Sequence, residues 1–131
     1  MKTLLLLFIT ITTLFSNELN WLHDYTKALQ KAHQEHKKIY IFIGADRCNF
    51  CKMFKEKTLS QKNVIKRLTQ EYIPVYLSRD RHTIPPQFEK FGVPRHYFLN
   101  EDGSIIFETF GVLEPEGFFT VLDEAELSTQ D

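Results

Sequence analysis

Residues 39–43 form the run Ile-Tyr-Ile-Phe-Ile, which ends at Gly44. A run of β-branched and aromatic residues with no charged member suits a strand covered on both faces. Such a strand demands a sheet with packed layers on either side. The chain's two cysteines follow shortly after it, as Cys48-Asn49-Phe50-Cys51. One central strand therefore runs straight into a cysteine pair.

The rest of the chain supplies the covering layers. From Asn20, a candidate N-cap, residues Trp21, Leu22, Tyr25, Ala28, Leu29 and Ala32 share one stripe of a helix. Residues 52–57 predict a helix, and residues 61–70 a second helical stretch with Val64, Ile65 and Leu68 inward. Residues 72–77 predict a strand that Pro74 weakens, because proline removes a ladder donor. A charged loop, 78–83, comes next. Residues 85–91 predict a short helix with proline in its first turn and Gly92 as its stop. Residues 97–99, 101–104 and 105–107 predict strand, tight turn and strand. Residues 114–127 predict a terminal amphipathic helix with Phe118, Val121, Leu122 and Ala125 on one side. With 51–70 taken as one helical segment, the order is α-β-α-β-α-β-β-α. It implies an α/β fold with a central mixed sheet flanked by helices.

A length of 131 residues argues for one domain. No repeat or flexible linker divides it. A net charge of -1 gives no reason to expect nucleic acid. Two cysteines are too few to staple a small fold or to build a four-cysteine zinc site. At the N-terminus, Lys2 precedes an apolar run over residues 4–15, broken only by threonines. That is the layout of a secretory signal, and it is short for a transmembrane helix. The expected division is a signal peptide at 1–16 and a single domain at 17–131, with an uncleaved anchor as the alternative. Export places the cysteines where thiols meet oxidants.

Cys48 is expected at the start of a helix, where unpaired N–H groups stabilise a thiolate. Cys51, one turn further in, can reach it. The chemistry this suggests is thiol–disulfide exchange. An inert structural disulfide and a metal clamp are the alternatives. The clamp would draw on His23, His33, His36, His82 or His96, none of which has ligand spacing to the cysteines. His33, Glu35 and His36 suit a solvated helix end.

The segment 39–53 (IYIFIGADRCNFCKM) resembles the strand–C-x-x-C–helix segment of the thioredoxin superfamily. Gly92-Val93-Pro94-Arg95-His96-Tyr97-Phe98-Leu99 resembles that family's Val-Pro segment, and 101–104 the turn that follows. The likeness spans most of the chain from Trp21 to Leu127. It is nearest to exported bacterial thioredoxin-related proteins of the SoxW and thiol:disulfide interchange type. The resemblance implies a thioredoxin fold with an extra N-terminal helix. It implies Cys48 as nucleophile, Cys51 as resolving cysteine and Pro94 as a cis-proline facing them. It also implies Val93 as a residue whose backbone pairs with an extended substrate. Departures stand beside these. Arg47 occupies the place of a usual tryptophan, where it favours the Cys48 thiolate or is simply solvated. The buried acid of thioredoxins would fall near Phe42, so the proton acceptor for Cys51 is unassigned, with Asp46 a candidate by proximity. Phe50 offers apolar contact to partners or is merely exposed. Arg95, after the proline, selects acidic partners or is solvated.

The expected function is a periplasmic thiol–disulfide oxidoreductase that reduces disulfides of partner proteins and is kept reduced by a membrane thiol donor. A disulfide oxidase or isomerase, a metal-binding chaperone and a non-catalytic binding module are the alternatives. No small-molecule cofactor or metal is expected, nor stable membrane insertion after cleavage, and a monomer is anticipated.

Overall fold

Period-two alternation in the strands sorts the side chains by type before any helix packs on them. In the computed structural model, which describes residues 18–129, four strands form one sheet: β1 (Lys38–Gly44), β2 (Tyr72–Ser78), β3 (Arg95–Leu99) and β4 (Ile105–Phe110). Their order is β2-β1-β3-β4, with β1 parallel to β2 and the other pairs antiparallel. Tyr40, Phe42, Tyr72, Tyr76 and Phe98 point to one face, an aromatic one. Ile39, Ile41, Ile43, Ile73, Val75, Leu77 and Leu99 point to the other, largely aliphatic one. The expected signal sequence lies outside the described residues.

Four helices cover these faces. α1 (Tyr25–Glu35) lays Ala28 and Ala32 on the aliphatic face. α2 (Asn49–Phe54), α3 (Lys62–Glu71) and α4 (Pro115–Leu127) cover the aromatic face with Phe54, Leu68, Phe118 and Leu122. α2 continues as a π-helical turn, Lys55–Leu59, before the break that precedes α3. The alternation that predicted a mixed sheet flanked by helices is therefore present, including an N-terminal helix.

Two local expectations are corrected. First, α1 starts at Tyr25, not after Asn20. Asp24 is the N-cap, and its Oδ1 accepts a hydrogen bond from the Lys27 N–H at 2.9 Å. The preceding residues run alongside β2 instead. The Leu22 N–H donates to the Pro74 carbonyl at 3.0 Å, and the Tyr76 N–H donates to the Leu22 carbonyl at 2.8 Å. Trp21 and Leu22 are apolar because they cover this sheet edge. Pro74 is tolerated for the same reason. In an extended chain the N–H and C=O of one residue point to the same side. The Pro74 carbonyl points outward to Leu22, so its missing N–H takes nothing from the β1 ladder.

Second, residues 85–91 are not a helix. A single turn closes with the Phe88 N–H on the Pro85 carbonyl. Glu89 Oε1 then accepts from the Lys90 and Phe91 N–H groups, and the Glu89 N–H donates to the Tyr97 hydroxyl. Those side-chain bonds take the donors that a helix would have used. Phe88 is buried on the aliphatic face as a result.

The β3–β4 turn holds Gly103 at φ 89°. A Cβ there would lie 2.6 Å from the Tyr25 hydroxyl and 2.9 Å from Leu29 Cδ2, both on α1. Gly103→Ala is expected to destabilise the fold by about 2 kcal/mol, from the left-handed backbone and the clash together. Urea unfolding checks it, and an unchanged midpoint would show that the turn gives way freely.

Candidate active site

The carboxyl ends of β1, β2 and β4 and the amino end of β3 lie at one edge of the sheet. Gly44 is level with Ser78, Ile43 with Arg95, and Arg95 with Phe110. The chain leaves β1 here, turns through Asp46 and Arg47, and enters α2 with Cys48 as its N-cap. Extended backbone at Cys48 directs its sulfur back over the first turn, where Cys48 Sγ accepts a hydrogen bond from the Cys51 N–H at 3.0 Å. Cys48 and Cys51 are joined as a disulfide, with Cα atoms 5.2 Å apart. The two sulfurs differ in access. Cys48 is half-buried, whereas Cys51 is 2% exposed and belongs to the aromatic core. When the pair is reduced, the N–H donation and the helix N-terminus favour charge on Cys48.

The turn before the pair is rigidly tied. The Asp46 N–H donates to Asp80 Oδ2, while Asp46 Oδ1 accepts from Ser78 Oγ at 2.9 Å and Arg81 Nε at 2.7 Å. These bonds, that from Arg81 foremost, hold the Asp46 carboxyl below the usual carboxylate range. A carboxylate so held is a poor proton acceptor, and its evident work is to anchor the loop after β2. Arg47 and Phe50 are exposed beside the pair, Phe50 by 62%.

Across the same edge, the Val93–Pro94 peptide is cis. Pro94 is buried and its carbonyl accepts the Gly111 N–H at 2.8 Å. Outside the strands, Val93 enters no backbone hydrogen bond among the described residues. Arg95 is half-buried. Its Nη1 donates to the Phe91 carbonyl at 3.2 Å, and its guanidinium lies 5.6 Å from the centre of the Phe110 ring.

One residue that sequence reasoning treated only as a spare ligand proves central. His96 is fully buried against Phe42 and Phe54, level with Phe42 on β1. Gly111 O can only accept, so His96 Nε2 carries the hydrogen that donates to it at 2.9 Å. Nδ1 then accepts from the Tyr40 hydroxyl at 2.8 Å. Burial lowers the His96 pKa to about 4. The chain Tyr40–His96–Gly111–Pro94 therefore runs from the central strand to the cis Val93–Pro94 peptide at the same end of the sheet. A histidine among the inward positions of an apolar strand was the available signal. The other histidines lie elsewhere. His23 and His82 stack 4.9 Å apart with both Nδ1 atoms bound to backbone, and His33 and His36 end α1. Among the described residues, no group of three or more His, Cys, Asp or Glu side chains is placed to hold a metal.

Residues 25–126 match a family described as a thioredoxin-like domain. The chain is similar to an uncharacterized protein of Archaeoglobus fulgidus, 29% identical over 70 residues, which are 53% of this chain and 55% of that protein. It thus spans about half the length of that relative. Among solved structures, it is similar to a thioredoxin from Thermus thermophilus with a TM-score of 0.67 and 19% identity, covering 82% of this chain and 86% of that one. A structure of the DsbH oxidoreductase is similar with a TM-score of 0.64 and 19% identity, covering 84% and 86%.

Proposed function

The chain belongs to the family of thioredoxin-like domains, and we propose that it is a thiol–disulfide oxidoreductase that reduces disulfides of partner proteins. One observation carries the reading: an accessible cysteine at a helix N-cap receives an N–H hydrogen bond from a buried second cysteine. In the reduced protein, the Cys48 thiolate attacks one sulfur of a partner disulfide. That bond breaks, the partner's other sulfur leaves as a thiolate and takes a proton, and a mixed disulfide forms on Cys48. Cys51 loses its proton and attacks Cys48 Sγ, which releases the second partner thiol and closes Cys48–Cys51. Two electrons pass to the partner, and a membrane dithiol donor returns two to this protein. Stabilisation of the Cys48 thiolate favours the reduced form and by itself pulls the couple toward oxidation of partners; the reductive direction draws on the likeness to a thioredoxin. The free backbone of Val93 supports pairing with an extended substrate segment. The apolar run behind Lys2 supports export to the periplasm.

Insulin reduction by a dithiol is expected to accelerate with catalytic amounts of the protein. A reduction potential near roughly −270 mV is expected, and one near roughly −120 mV would assign it to oxidation instead.

A further inference from the structure

Among the described residues, four cations at the cysteine edge make no close ion pair, Arg47, Arg79, Lys90 and Arg95, although the Glu89 carboxylate acts on Arg95 and Lys90 at longer range. The acids nearby are already engaged. Asp46 holds Arg81 and Ser78, Asp80 holds the Asp46 N–H, and Glu89 holds two backbone N–H groups. Three of them, Arg79, Lys90 and Arg95, are seated on exposed aromatic rings instead. Phe91 is 62% exposed, with the Arg79 guanidinium 5.7 Å and the Lys90 ammonium 5.8 Å from its ring centre. Phe110 is 66% exposed, with Arg95 on its ring. Arg95 Nε is a buried donor without a hydrogen-bond partner. A ring face orders a cation without neutralising it. The edge thus presents fixed positive charge and apolar faces together, in a chain whose net charge is -1.

We infer that this edge selects partner segments that carry an Asp or Glu within about two residues of the cysteine under attack, together with an apolar side chain that packs on Phe91 or Phe110. The inference rests on the thiol–disulfide reading. Arg95 is the specificity-determining residue, because it follows Pro94 directly. Its guanidinium offers donors in a planar fork that suits a carboxylate. An extended segment beside Val93 advances about 3.3 Å per residue, so a side chain one or two positions from the cysteine falls within reach of Arg95.

The test uses disulfide-linked peptides that differ only in a Glu, Gln or Lys beside the cysteine, with kcat/KM for their reduction as readout. At about 50 mM salt, the Glu peptide is expected to exceed the Lys peptide by ~5- to 10-fold, since attraction and repulsion both contribute. At about 500 mM salt, screening reduces the ratio below about twofold. Arg95→Gln is expected to bring the low-salt ratio to about two, and Arg79→Gln to lower it in part. The ratio is internal to each variant, so it does not depend on how much of that variant folds. The neutral 2-hydroxyethyl disulfide, tested on the unaltered protein, separates the two claims. If it is reduced while all three peptides react equally, the edge does not select acids. If neither it nor any peptide is reduced, the thiol–disulfide reading falls and takes this one with it.

Discussion

Cys48→Ser is expected to return insulin reduction to the uncatalysed rate, a fall of ~10³-fold or more, while the far-UV circular dichroism stays that of the native chain. The nucleophilic sulfur is the one component of exchange that no neighbour replaces, because Cys51 is sealed in the aromatic core. The fold does not depend on the bond. A disulfide closing so short a loop, three residues apart in sequence, contributes at most ~2 kcal/mol by chain entropy. Two buried clusters on opposite faces of the sheet hold the strands regardless. Cys51→Ala is expected to behave differently. It keeps the attack but loses the release, so partners accumulate as mixed disulfides on Cys48 that a reductant dissolves. Equal trapping by a Cys48→Ala protein would refute the order of attack.

Acid is expected to destabilise the protein well before its carboxylates protonate. Burial keeps His96 neutral down to about 4 in the folded chain, whereas an exposed histidine binds a proton near 6.5. Between those values the unfolded state holds the extra proton. Stability from this group is therefore fully present above about 6.5 and is lost as pH falls toward about 4. The expected loss is on the order of 2–3 kcal/mol. His82 is also held below the ordinary histidine value, chiefly by burial and then by His23 beside it, and adds in the same direction. The acids with lowered values, Asp46, Glu89 and Asp102, matter only at the lower end of this range. Urea unfolding between about pH 7 and about pH 4.5 measures the slope. His96→Gln is expected to cost ~2–4 kcal/mol at neutral pH, through two buried hydrogen bonds, and to flatten the slope. Parallel slopes in the two proteins would show that His96 does not carry the acid response.

The cysteine pair and its strand were legible in the sequence because the signals are local. An apolar run, a glycine and a C-x-x-C motif sit within thirteen residues of one another, and a helix cap is a nearest-neighbour matter. The start of α1 was not legible, since Trp21 and Leu22 fit a helix stripe and a strand edge equally well. What decides between them is the outward carbonyl of Pro74, more than fifty residues away. The helix expected at 85–91 failed because Glu89 turns its carboxylate onto its own backbone, a choice that apolar patterning cannot display. His96 was hidden for a related reason. Its partners Tyr40 and Gly111 lie 56 and 15 residues away, so its role exists only once β1, β3 and the end of β4 are assembled. Arg95 was noticed as a charge, but its seat on Phe110 depends on strand register.

The segment lying against β2 has a consequence for how copies of this chain meet. By occupying the outer carbonyl of Pro74 and the outer N–H of Tyr76, Leu22 blunts one flank of the sheet. Among the described residues, β4 is the flank left open. An assembly that grows by strand addition needs two free flanks on every member, one to join and one to offer. A sheet open on a single side can close on one twin and then has nothing more to extend. The fold thereby carries a built-in terminus against fibre growth, written by a few residues ahead of its first helix.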